Sequence, residues 1–300
     1  MLANFFGKSK PINFLVIFGL FLCYFVVIAF SKELTIETFK ELAWFLIIFS
    51  VFNFIIAKNQ LTFDNSYAYL FYVILIGFFA EVIQLNYLLY ANVTVLLFLR
   101  KVYSLQSSKN ILHKLFDGGL WLGVSFLIEP YTILFILLLY ISTFLHQRFT
   151  YQTLFTPVLG FFAPVFLYFT YCLWYDKTED FTNLFLWYSE YDFQFYFSNK
   201  YLIPMLFIGF CTFFTLVLKT PKTLAVKNLF RRNWIIVLFH LLLAGIIIIL
   251  INERNVSELL FAFFPTAIIL ANGLELVKKK LLAEIILVAF LLLSFMHFFF

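Results

Sequence analysis

Residues 12–30 read INFLVIFGLFLCYFVVIAF, nineteen consecutive positions without a charge. A membrane span needs about 20 mostly apolar residues, because a rise of about 1.5 Å per residue must cross roughly 30 Å of hydrocarbon. The preceding flank, MLANFFGKSKP, is basic, and Phe30-Ser31-Lys32-Glu33 offers no small-residue cleavage pattern. The stretch predicts an uncleaved first span rather than a signal peptide.

The same reading, carried along the chain, predicts spans near 12–30, 42–57, 67–84, 87–104, 115–129, 130–146, 151–174, 201–218, 234–251, 259–276 and 281–299. The predicted fold is therefore all-α, a polytopic integral membrane protein of about eleven spans in a single domain, 1–300. Composition agrees. The chain is 64% hydrophobic, 23% aromatic and only 12% charged, with 46 Phe in 300 residues. Its mean hydropathy is +0.98. Globular chains carry roughly 25% charged residues, so these values exclude a soluble enzyme, a nucleic-acid-binding domain, a disulfide-stapled module and a disordered chain.

With the N-terminus in the cytoplasm, sixteen of the 21 Lys and Arg fall in cytoplasmic segments. Only Lys32, Lys40, Lys177, Lys200 and Arg254 fall outside. That skew is what the positive-inside rule predicts. Two regions depart from simple alternation. Lys114 and Arg148 bracket too short a run for two full spans, so a hairpin or re-entrant pair hinged at Glu129-Pro130 is expected. Gly118, Gly119 and Gly123 would let its backbone approach a neighbour closely. The outer segment 175–200 interleaves Asp176, Trp187, Tyr188, Glu190 and Asp192 with further aromatics. Rings with polar edges favour the headgroup level, so this segment is expected to lie along the outer interface, partly helical.

No phosphate-cradling glycine loop, GxSxG, HExxH or paired CxxC occurs, and no cofactor is implied. Cys23, Cys172 and Cys211 and the four scattered His have no metal-ligand spacing, so no metal site is predicted. Ionisable groups at membrane depth are the candidates that remain. Glu81 and Glu129 are candidate ligand-facing carboxylates, with interface placement and helix capping as their structural alternatives. Glu275 and Glu284 are expected to pair with Lys278 and Lys280 on the inner face. Glu33, Glu37 and Glu41 share one helical face at i, i+4 spacing. Arg254 is the only arginine outside, and is the expected contact for a lipid phosphate.

Three segments resemble the lipid-linked-sugar glycosyltransferases of the GT-C fold. They are the run Gly118–Tyr131 after a basic loop, the run Pro157–Pro164, and Arg254 followed by a helix containing Pro265. The resemblance implies an outer carboxylate, Glu33 or Glu37, as catalytic base and Arg254 on the phosphate of a polyprenyl-phosphate sugar. The first outer loop, Ser31–Glu41, is much shorter than that family's. The resemblance thus supports fold kinship more than catalysis. The whole chain also resembles an uncharacterised family of polytopic inner-membrane proteins of Bacteroidetes. The leading expectation is a GT-C-like protein with lost or marginal catalysis. It would bind a polyprenyl-phosphate or other lipid-phosphate headgroup at the outer face, or serve as a subunit beside other inner-membrane proteins. The alternatives are an active polyprenyl-phosphate-sugar-dependent glycosyltransferase, and a transporter or channel subunit with Glu81 and Glu129 lining a path. Membrane lipids are the expected partners in every case, and nucleic acid in none.

Overall fold

The computed structural model describes residues 2–30, 35–187, 191–225, 229–252, 254–296 and 298. Among them the chain is all-helical, with no strand. The helices are α1 (Leu2–Phe6), α2 (Pro11–Phe30), α3 (Ile36–Asn59), α4 (Tyr67–Phe78), α5 (Tyr87–Ser104), α6 (Ile111–Ile128), α7 (Ile136–Leu145), α8 (Tyr151–Trp174), α9 (Thr178–Asn183), α10 (Asn199–Leu224), α11 (Leu229–Leu250), α12 (Leu260–Leu274) and α13 (Lys280–Met296). Short 3-10 turns fall at Ala80–Ile83, Pro130–Phe135, Gln194–Phe197 and Ser257–Leu259.

Among the described residues, seven helical segments are long and apolar enough to cross a membrane: α2, α3, α6, α8, α10, α11, and Ser257–Leu274, which contains α12. The other segments in which the sequence predicts spans form shorter or more polar helices. α4 has 12 residues and α13 has 17, α5 carries Arg100 and Lys101 near its end, and Pro130–Leu145 combines a 3-10 turn with α7. At about 1.5 Å per residue α4 alone covers only about 18 Å.

The chain forms two compact units. The first comprises Met1–Leu85, Asp192–Val237 and Ala262–Phe300, and the second Asn86–Tyr191 and Leu238–Phe261. In the first unit α4 is buried along its whole length, as expected of a helix that is apolar on every side. Its Tyr72 packs 4.2 Å from Phe52 of α3, and its Phe71 packs 5.1 Å from Phe290 of α13, both as ring centroids. Polar side chains join helices within this apolar core. Tyr24 and Ser294 share a 2.6 Å hydrogen bond, and Asn13 donates to the carbonyls of Phe5 and Lys8. Such bonds replace the hydrophobic driving force that is missing between helices in lipid.

In the second unit α6 and α8 meet through glycine. A Cβ at Gly119 would overlap the Pro157 carbonyl, one at Gly123 the Phe161 carbonyl, and one at Gly160 the Phe116 carbonyl. The expectation for Gly119 and Gly123 is met by these carbonyls, whereas Gly118 faces Leu139 of α7. α6 stops where expected, before Pro130, whose ring cannot continue a helix. The Glu129 carboxylate accepts the Tyr131 N–H at 3.2 Å, and its carbonyl accepts the Thr132 hydroxyl at 2.7 Å.

Candidate functional site

The first unit holds a cavity of about 870 Å³ at its basic end. The fold builds it from helix ends. Gln60 takes a left-handed conformation as the C-cap of α3, its N–H returning to the Ile56 carbonyl. The chain then loops through 61–66 before α4. Asn65 starts that helix by accepting the Tyr67 N–H at 3.1 Å. Asn233 of α11 donates to the Asn59 carbonyl at 3.0 Å, and Asn272 of α12 to the Leu61 carbonyl at 3.2 Å. These amides fix the loop against two helices. Gly273 lets α12 approach Thr215 of α10, where a Cβ would come within 2.6 Å of Thr215 Cγ2.

Lys219 and Glu275 form the chemical centre of this end. Lys219 lies in the cavity wall and is 6% exposed. Its ammonium is 3.6 Å from Glu275 Oε2, an ion pair slightly too long for a hydrogen bond. It also lies 5.5 Å from the ring centroid of Phe63 and 5.4 Å from that of Phe230. Those rings stack at 5.8 Å. Glu275 Oε1 accepts the Asn65 side-chain amide at 2.6 Å and the Phe63 N–H at 3.2 Å. Burial pushes the Glu275 carboxyl above the usual carboxylate range, opposed by the Asn65 hydrogen bond and the Lys219 charge. One carboxylate thus holds the loop with one oxygen and the lysine with the other.

Two further charges line the cavity, Lys222 and Asp64. Both are exposed, and among the described residues neither makes an ion pair or a hydrogen bond. Asn53 and Gln60 supply amides to the wall, while Phe14 and Ile56 supply apolar surface. A polar mouth beside an apolar wall suits an amphiphile with a charged head.

Among the described residues, those singled out in the sequence are not part of the cavity lining. Glu33, Tyr188 and Glu190 fall outside the described residues. Glu37 is exposed in the first turn of α3, and Glu41 accepts the Leu85 N–H at 3.3 Å. Glu81 takes an ion pair from Lys200 at 2.7 Å and a hydrogen bond from the Tyr201 hydroxyl at 3.1 Å. Glu129 is 5% exposed at its hinge. The Arg254 guanidinium bonds the carbonyls of Ile248 and Ile249 in the last turn of α11, the latter at 2.8 Å. That arrangement is the usual one for a cation at a helix C-terminus. Asp176 is exposed with a positive φ of 54°, Trp187 packs 5.9 Å from Tyr131, and Asp192 accepts the Gln194 N–H at 2.9 Å. Among the described residues no three His, Cys, Asp or Glu come together as metal ligands.

Two expectations change. Glu275 pairs with Lys219 rather than Lys278, and Glu284 accepts the N–H groups of Leu2 and Ala3 rather than pairing with Lys280. The sequence alone does not single out Lys219, or Glu258, which is 0% exposed in the 3-10 turn Ser257–Leu259. The early signal for Lys219 was an ammonium on the apolar run of α10, opposite a carboxylate at the end of another apolar run.

Among the described residues, an all-helical chain with seven candidate spans and a charged cavity among its helix ends is the class that the structure defines. The chain belongs to the DUF6427 family, described as a family of unknown function, which matches residues 1–300. No curated protein and no solved structure matches it.

Proposed function

We propose that this chain is a bacterial inner-membrane protein of about eleven spans that seats a phosphate-bearing lipid headgroup at its cytoplasmic end. The observation that carries the reading is the cavity itself, with Lys219 buried in its wall and Lys222 at its mouth. The cytoplasmic placement is supported by Lys219 and Lys222 in the lining and by Lys58, Arg231 and Arg232, which lie next to lining residues in the sequence. The eleven-span count follows from alternation. Basic segments precede α4, α6, α8, α11 and α13 and follow α3, α5, α7, α10 and α12, so the shorter helices are counted as crossings too. In this reading Arg254, engaged by helix carbonyls, caps α11 and is not the phosphate contact.

The glycine- and proline-bearing segments 118–131 and 157–164 favour GT-C kinship in fold, and the short loop Ser31–Glu41 favours lost catalysis. A role as subunit of an inner-membrane assembly is compatible with headgroup binding. The test is purification in mild detergent followed by lipid extraction and native mass spectrometry. The expected result is one retained phospholipid per chain, with retention lowered in the folded K222Q variant. A chain that retains and rebinds no phospholipid contradicts the reading, as does retention unaffected by K222Q.

A further inference from the structure

The charges of the cavity narrow the kind of headgroup. Lys219 already faces Glu275 at 3.6 Å, so that pair brings no net charge to a ligand. Lys58 holds its ammonium 5.0 Å from the centroid of the Phe54 ring and is not part of the lining. Among the described residues, the lining charges left over are Lys222 and Asp64, one of each sign, which do not pair with each other. A ligand carrying only negative charge would meet Lys222 but also an uncompensated Asp64. A ligand carrying both signs would satisfy both.

We infer that the cavity selects a zwitterionic amino-phospholipid, with the phosphodiester on Lys222, the primary ammonium on Asp64, and the acyl-glycerol part along Phe14 and Ile56. This deepens the headgroup reading above and rests on it. The amides of Asn53 and Gln60 suit the ester oxygens, because they donate without adding charge. The primary ammonium suits a carboxylate as a charge-assisted hydrogen bond.

The test offers the full chain, in a neutral detergent, an equimolar mixture of phosphatidylethanolamine and phosphatidylglycerol with identical acyl chains. Native mass spectrometry reads the ratio retained. The expected ratio favours phosphatidylethanolamine by roughly fivefold, the equivalent of about 1 kcal/mol. D64N should bring the ratio to parity or reverse it. K222Q should lower retention of both lipids. Asp64 and Lys222 are exposed, so both variants are expected to fold, and thermal unfolding checks that. A wild-type chain that retains phospholipid but shows no preference, or prefers phosphatidylglycerol, overturns this inference and leaves the headgroup site standing. A chain that retains neither lipid overturns both. An unchanged ratio in folded D64N also overturns the inference. Soluble glycerophosphoethanolamine in excess should leave the lipid bound, and displacement by it would overturn the assignment to a lipid.

Discussion

Removing Lys219 while leaving Glu275 tests how the basic end of the first unit is held together. The two side chains are 7% and 9% exposed and lie 3.6 Å apart. At an effective dielectric near 20 their attraction is roughly 4–5 kcal/mol before desolvation is counted. Losing one partner of such a pair typically costs about 3–5 kcal/mol, because the other charge stays buried without compensation. Here Asn65 and the Phe63 N–H still hold Glu275 Oε1, so the lower figure, about 3 kcal/mol, is expected for K219M. E275Q keeps the shape but weakens the hold on loop 61–66, and should cost about 2 kcal/mol. The assay is reversible unfolding in mixed micelles, run as a double-mutant cycle with K219M/E275Q. A coupling of about 2 kcal/mol is expected. pH supplies a second reading. The folded-state pKa of Glu275 is raised above its ordinary 4.5, so the folded chain holds that proton more tightly, and stability falls as pH rises from 4.5 through the raised value. Removing Lys219 raises it further. The penalty of K219M should therefore be smaller at pH 5 than at pH 8. Additive single variants, or a penalty that grows on acidification, would refute the reasoning.

Other substitutions probe separate contacts. G119L or G160L should cost at least about 3 kcal/mol or prevent folding, because α6 and α8 must separate, whereas G209A and G245A, with open space at the Cβ position, should unfold within error of the wild type. K200M should cost about 1 kcal/mol by loosening Glu81, whose hydrogen bond from Tyr201 persists, as read by the same unfolding assay. R254A should cost about 1 kcal/mol through the lost cap of α11 and leave the retained phospholipid unchanged by mass spectrometry.

Much of the helical layout is legible in the sequence because an apolar run bounded by cations has one comfortable arrangement in lipid. The end of α6 at Pro130 and the close approach at Gly119 follow from covalent geometry, which no tertiary context alters. The cavity is not legible in the same way. Its walls come from α3 and the 61–66 loop together with α10 and α11, more than a hundred residues further along the chain, and no local spacing announces that the two groups meet. Glu275 shows why. Its neighbour in sequence is Lys278, three residues on, yet Lys219 and the Phe63 and Asn65 amides reach it first, since α12 has ended at Leu274 and Glu275 turns into the loop. Arg254 shows the reverse case: it is the only outer arginine in the sequence reading, and the carbonyls it bonds belong to its own helix end, five and six residues away.

The side of the membrane on which the cavity opens decides the account. In a chain with Cys23, Cys172 and Cys211 replaced by Ala, D64C should react with a membrane-impermeant maleimide in inside-out vesicles and stay unlabelled in intact spheroplasts, with D176C as the opposite control. Labelling of D64C from outside intact spheroplasts would contradict it.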